Sequence, residues 1–186
     1  MYNFSNQSSY PFWINNSMQN FHNMNPYYFW YNMQVLMNPF AFGGNNPYFA
    51  RPFVILQDYG PDPYVVNIED ATKQNDTFRT VLWTGENLQV TLMSIDVGDD
   101  IGLEVHSEGD QFIRIEEGEA LVKMGDSKNK LDYQRKAFND SSIMIPAGKW
   151  HNIINIGDKP LKLYAIYAPP EHPRDTVHET KEDALE

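Results

Sequence analysis

The sequence predicts an all-β domain, a barrel or sandwich of short antiparallel strands, behind a low-complexity N-terminal extension. Three observations carry this reading. After Ala50, short apolar runs alternate with turn residues at intervals of about ten residues, the pattern of many short strands. No long helical period occurs in that part of the chain. It offers about 120–135 residues, enough to bury one good core.

The extension comes first. Residues 1–50 contain no Asp, Glu, Lys or Arg and are rich in Asn, Tyr, Phe, Trp, Met and Pro. Such polar-aromatic composition stays unfolded alone yet self-associates, because nothing charged keeps its aromatic faces solvated. Residues 27–37, YYFWYNMQVLM, show no clear period, so no element is assigned there. In composition the segment resembles the Asn/Tyr/Phe/Met-rich extensions of bacterial spore-coat proteins. That likeness implies an adhesive arm for coat-layer assembly, set against a disordered extension.

The strands follow in order: FRTVLWT (78–84), LQVTLMSIDV (88–97), IGLEVHS (101–107), QFIRIEEG (111–118), ALVKMG (120–125), SSIMI (141–145), HNIINI (151–156) and LKLYAIYA (161–168). Turns at Gly85-Glu86-Asn87, Gly98-Asp99-Asp100 and Glu108-Gly109-Asp110 separate the early ones. Residues 69–76, EDATKQND, read as a solvated loop, and 127–138, SKNKLDYQRKAF, as an exposed hairpin or strand. The domain is expected over 51–170, with a polar C-terminal tail over 171–186.

Composition removes several function classes. The chain has 186 residues, no Cys and a formal net charge of -11. Disulfides, zinc–thiolate clusters and cysteine nucleophiles are excluded. An acidic chain is repelled by phosphate backbones and anionic lipid, so neither nucleic acid nor membrane is an expected partner. No apolar stretch approaches the roughly 20 residues that span a bilayer. No Lys or Arg precedes an apolar core at the N-terminus, so no secretory signal is read. The expected location is the cytoplasm, with a spore coat or surface layer as the alternative that the extension raises.

Any metal site must therefore use His, carboxylate or neutral oxygen donors. Glu104 and His106 are two residues apart on one strand, so their side chains share a face. Gln111 opens the next strand after a tight turn, and Pro146-Ala147-Gly148 delivers His151 at the start of another. In a barrel these four side chains can converge. An inward carboxylate needs a partner, and a cation shared with two imidazoles supplies one.

These residues resemble the two motifs of the cupin superfamily. The first runs Gly, five residues, His, one, His, three or four, Glu, six, Gly. Here it reads Gly98, five residues, Glu104, Val105, His106, four residues, Gln111, six residues, Gly118. The second runs Gly, five, Pro, one, Gly, two, His, three, Asn. Here it reads Asp140, five residues, Pro146, Ala147, Gly148, Lys149, Trp150, His151, three residues, Asn155. Within the superfamily the chain looks most like small RmlC-like, single-domain members labelled mannose-6-phosphate isomerase-like. The resemblance implies a double-stranded β-helix (jelly-roll) barrel, pairing into homodimers, and a divalent metal on Glu104, His106, Gln111 and His151. Mn, Fe, Zn and Ni all suit that ligand set. Glu104 replaces a His, Gln111 a Glu and Asp140 a Gly, so the site departs from the usual three-His, one-Glu arrangement.

Other residues carry less. His172 and His178 lie in the polar tail after Pro169-Pro170 and read as surface residues, with a lid role as the alternative. His22 lies in the extension. Asn155 reads as structural in preference to functional, and Gly98, Gly118 and Gly148 as turn positions with positive φ.

Three function classes remain. One is a metal-dependent enzyme on a small polar metabolite or sugar, isomerase-like through Lewis-acid catalysis or an Fe(II) dioxygenase. The second is a non-catalytic binding module. The third is a structural protein of a coat or surface layer. The sequence names no catalytic base.

Overall fold

The computed structural model describes residues 53–185. The expectations placed on residues 1–50 lie outside the described residues.

Among the described residues nine strands form, in chain order: β1 (Arg79–Thr84), β2 (Gln89–Ile95), β3 (Asp110–Glu117), β4 (Ala120–Gly125), β5 (Tyr133–Ala137), β6 (Ser142–Ile145), β7 (Trp150–Asn155), β8 (Leu161–Ala168) and β9 (Val177–His178). They make a six-stranded sheet, β6-β3-β8-β2-β1-β9, and a three-stranded sheet, β5-β4-β7. All pairings are antiparallel. Residues 100–104 run along the free side of β7 through bridges Asp100↔Ile154 and Glu104↔His151, extending the smaller sheet. The two sheets face each other as a jelly roll, the predicted architecture.

Alternation sets what lies between the sheets. Ile113 and Ile115 of β3, Val122 of β4, Ile153 of β7, and Leu163 and Ala165 of β8 are buried in one core with Met93 and Ile95 of β2. Each fully buried aliphatic side chain of this kind contributes about 1.5–3 kcal/mol from removal of apolar surface from water. β2 is buried along most of its length, polar Gln89 and Thr91 included, because both its faces are covered. Leu92 and Val90 point away from the core, into a second cluster with Leu82, Val54, Leu56, Tyr64 and Ile68.

That outer cluster includes a helix where the sequence suggested a solvated loop. Residues Ile68–Gln74 form α1, with Asp70, Ala71 and Thr72 buried. The correction has a local cause. Asn67 caps the helix by accepting from Asp70 N–H at 3.3 Å, and its amide donates back to the Asp70 carboxylate at 2.6 Å. Glu69 and Lys73 then pair across one turn at 2.6 Å. A single covered face is enough to hold a helix of 7 residues that propensity alone would not.

The turns behave as their residues require. Gly98, Gly118 and Gly148 all have positive φ, 80°, 102° and 77°. Asp140, which stands where the motif has Gly, adopts φ 66°. Asp tolerates this left-handed conformation better than most residues, so the fold survives the exchange. The basic-apolar stretch after Asp126 is an exposed strand, β5, as expected.

Asn155 is structural. It is 1% exposed. Its amide donates to the carbonyls of Ile95 (2.9 Å), Asp96 (3.1 Å) and Lys159 (2.9 Å), while its oxygen accepts from Gly157 N–H at 2.9 Å. It ties the end of β2 to the turn between β7 and β8. Among the described residues, no helix is long and apolar enough to cross a membrane.

Candidate metal centre

The side-chain donors of Glu104, His106 and His151 lie within 4.8 Å of one another. Two pieces of chain bring them there, the segment carrying Glu104 and His106 and the start of β7. Glu104 bridges to β7 through paired backbone bonds, Glu104 N–H to His151 O (3.0 Å) and His151 N–H to Glu104 O (2.9 Å). This register sets Glu104 directly opposite His151. His106 is fixed by the turn before β7, because its carbonyl accepts from Gly148 N–H at 2.8 Å.

Both imidazoles present Nε2 to the same carboxylate oxygen. Glu104 Oε1 lies 3.2 Å from His151 Nε2 and 3.4 Å from His106 Nε2. The outer nitrogens face acceptors. His151 Nδ1 is 2.9 Å from the Lys149 carbonyl, which can only accept, so the proton belongs on Nδ1. His106 Nδ1 is 3.1 Å from Glu171 Oε1. The His106 contacts are ionic and are not aligned as hydrogen bonds. With Nδ1 protonated in both rings, two Nε2 lone pairs and a carboxylate converge on one point. Electron-rich atoms so arranged need protons or a cation between them.

Without an ion, protons do this work. Burial raises the Glu104 carboxyl, but the rings of His106 and His151 outweigh it and pull it down to about 2. Burial lowers His106, and the Glu104 and Glu171 carboxylates outweigh that and raise it. A divalent ion would displace those protons, so binding should release them.

Gln111, the fourth predicted ligand, is 3% exposed. It lies near the start of β3, opposite Ile145 of β6 and Tyr167 of β8. Its Oε1 is buried and accepts no hydrogen bond. An orphaned amide oxygen inside the barrel fits the weak fourth donor that the motif resemblance implies. The chemistry of the whole set suits a divalent ion: two imidazoles, one carboxylate and one neutral oxygen.

Two histidines are not where the sequence reading put them. His172 and His178 were expected at the surface, yet both are half-buried, with His172 Nε2 and His178 Nδ1 fully shielded. The reason is that the chain turns back after β8. Gln89, buried in β2, accepts from the backbone N–H of Glu171 (3.3 Å) and His172 (2.9 Å) and donates to the His172 carbonyl (2.8 Å). The His172 ring then packs edge-on against Tyr167, centroids 5.0 Å apart, and Tyr167 stands edge-on to His106 at 5.4 Å. Further on, β9 pairs with β1. The segment becomes a strap beside the candidate centre, and Glu171 reaches the centre from it. Sequence reasoning missed Glu171 altogether. Its only signal was its place directly after the Pro169-Pro170 pair that ends β8.

A cleft of about 740 Å³ runs along β5 and β6. Its lining includes Met124, which faces His151 in the β4–β7 register, but none of the four predicted ligands.

Known proteins agree with this fold. The Cupin domain family matches residues 91–167. The uncharacterized protein YrkC of Bacillus subtilis (strain 168) is 64% identical over 132 residues, covering 71% of this chain and 71% of YrkC. The uncharacterized protein L612 of Acanthamoeba polyphaga mimivirus is 44% identical over 111 residues, 59% of this chain and 68% of that protein. The crystal structure of BH2720 from Bacillus halodurans superposes with a TM-score of 0.69 at 61% identity, covering 70% of this chain and 98% of that one. This jelly roll carries a Glu/His/His cluster that could hold a metal ion. The chain belongs to the cupin superfamily.

Proposed function

We propose that this cupin holds a divalent metal on Glu104, His106, His151 and Gln111 and acts on a small polar metabolite. The observation that carries the reading is the convergence of two Nε2 atoms on one Glu104 oxygen, at 3.2 and 3.4 Å. When bound, a divalent ion supplies Lewis acidity to a carbonyl or hydroxyl pair of the ligand.

The chain's own residues prepare that site. Glu104 supplies the charge. The Lys149 carbonyl and the Glu171 carboxylate hold the two rings with Nε2 inward, the outer support that metal-ligating imidazoles need. Tyr167, 2% exposed, keeps its proton because burial raises its hydroxyl well above the ordinary range. It is therefore a hydrogen-bond donor beside the site at every physiological pH. The strap from Glu171 onward runs beside this part of the barrel, tied down by Gln89 and by pairing of β9 with β1.

Sugar isomerisation is the reaction class that the motif resemblance suggests. A second reading, oxygen chemistry at Fe(II), is favoured by the donor set itself, since Glu104, His106 and His151 form a two-His, one-carboxylate group. Elemental analysis of the full chain, expressed without a metal-binding tag and compared with His106→Ala, tests the reading. Near-stoichiometric Mn, Fe, Zn or Ni that vanishes in the variant supports it, and iron selects the oxygen reading for assay first. Absence of metal in the parent protein after reconstitution would sink it.

A further inference from the structure

Arg79 opens β1 and is 5% exposed. A buried guanidinium needs a counter-charge, because desolvation of an unpaired ion costs several kcal/mol. No ion pair joins Arg79 to an acid among the described residues, and its Nε–H is buried without an acceptor. The guanidinium carbon stands 5.5 Å from the centroid of the Phe78 ring, a contact that offsets only part of that cost. The carboxylates in the neighbourhood are engaged elsewhere, Glu104 with both ligand imidazoles and Glu171 with His106.

Other polar atoms of this part of the barrel are in the same condition. Tyr167 Oη, His172 Nε2 and His178 Nδ1 are buried and lack hydrogen-bond partners. Thr91 lies against Tyr167 without an aligned bond between the two hydroxyls. His178 is the register partner of Arg79 across β1 and β9. His172 packs on Tyr167 with centroids 5.0 Å apart, His178 pairs with Arg79 in the sheet, and the charge of Arg79 is felt by all three groups, so the four belong to one part of the barrel. Glu104 acts on Tyr167 and His172 as well, so this part adjoins the candidate metal centre. The set is rich in donors. The guanidinium can only donate, and a phenol and two imidazoles can each donate one proton.

We propose that Arg79, with Tyr167, His172 and His178, forms a subsite for the carboxylate of a small organic acid. The charge count selects a carboxylate over a phosphate. Burial and then the charge of Arg79 push His172 down to about 3 and lower His178, so both rings are neutral at physiological pH. The subsite's own groups thus carry a single positive charge, that of Arg79, because Glu104 is already paired with the two ligand imidazoles. A monoanion balances it, whereas a dianionic phosphate leaves a net negative charge in a buried place. The inference deepens the proposed function by naming a hydroxy or sugar acid as the substrate class. The link to an ion rests on that reading, but the carboxylate subsite does not.

The test is therefore made first on full-length protein stripped of metal, by calorimetric titration with glycolate, gluconate and inorganic phosphate. Glycolate or gluconate should bind more tightly than phosphate. Arg79→Met should weaken that binding by about tenfold to a hundredfold, the consequence of losing a charge-assisted hydrogen bond, and Arg79→Lys should fall between. Metal content of Arg79→Met, measured separately, should equal that of the parent, so that loss of the ion and loss of the subsite are told apart. Equal carboxylate affinity in parent and variants, a preference for phosphate, or no binding by either acid overturns the proposal. Wild-type crystals grown with gluconate give a check that needs no variant: the carboxylate must lie on Arg79, and a carboxylate found elsewhere overturns it too.

Discussion

The carboxylate of Glu171 stands 3.1 Å from Nδ1 of His106, across the ring from the nitrogen that faces Glu104. A residue of the C-terminal strap thus supports a candidate ligand drawn from the first motif. Outer-shell carboxylates of this kind fix the tautomer and raise the basicity of the ligand nitrogen. Glu171→Ala should weaken metal affinity about 10- to 100-fold. Glu171→Gln, which keeps an oxygen facing Nδ1 but not the charge, should lose less. Competition with a chromophoric chelator measures both, and an unchanged affinity in Glu171→Ala would remove Glu171 from the centre.

Gln111 makes a prediction with two signs. Its Oε1 is buried and unpartnered, in a position where the motif has Glu. Gln111→Glu should raise metal affinity by about tenfold, since it adds a charged oxygen to a set with a single carboxylate. The same variant without metal should be less stable by about 1–3 kcal/mol, because a second carboxylate is then buried in the barrel without a cation. Urea unfolding with and without metal reads the crossing. If the two forms shift in the same direction, Gln111 is not a ligand.

Much of this site was legible because cupin motifs place residues by strand parity and turn length, both local properties. Glu104 and His106 do converge as their spacing of two suggested, although the expected strand over 101–107 is reduced to isolated bridges at Asp100 and Glu104, and Pro146-Ala147-Gly148 sets where β7 begins. Gln111 follows from the same hairpin. What escaped depends on tertiary return. Nothing local tells that residues after Pro170 fold back onto Gln89, a contact spanning 83 positions. Hence His172 and His178 read as surface, and Glu171 and Arg79 drew no notice. The helix α1 escaped for a different reason. Its polar run EDATKQ shows no apolar stripe, and only the cap at Asn67 and the buried Ala71 reveal it.

Asn155 tests how far the fold depends on one buried amide. Its side chain serves three carbonyls and one N–H, between 2.9 and 3.1 Å. Asn155→Ala leaves those backbone groups without partners, each costing about 1–3 kcal/mol when it stays dry. We expect a loss of about 3–5 kcal/mol in urea unfolding, the large end for a single substitution, with no change in metal stoichiometry of the folded fraction. Asn155→Asp keeps the acceptor for Gly157 but turns the donor into a charged acceptor facing three carbonyls, and should be at least as damaging.

His172 should give the metal-free protein an acid-sensitive window. Burial, and then the charge of Arg79, lower its value from 6.5 to about 3 in the folded state. Between those values the unfolded chain binds a proton at this ring and the folded chain does not. Unfolding then takes up a proton, so stability rises with pH across the window. The contribution is fully present above about 6.5 and is lost as pH falls toward about 3. The slope is on the order of 1 kcal/mol per pH unit at most, the value for one proton. Glu104 adds acid sensitivity lower down, between its ordinary 4.5 and about 2, and His178, also lowered from 6.5, shares the upper part of the window, so the share of His172 is the difference between parent and variant from pH 6.5 to 4.5. His172→Phe keeps the ring against Tyr167 and removes the titration. Urea midpoints of parent and variant at half-unit steps from pH 7 to 4.5 should diverge, the parent falling and the variant staying flatter. Parallel profiles would mean that the strap opens before His172 is protonated, and that its burial is not maintained in acid.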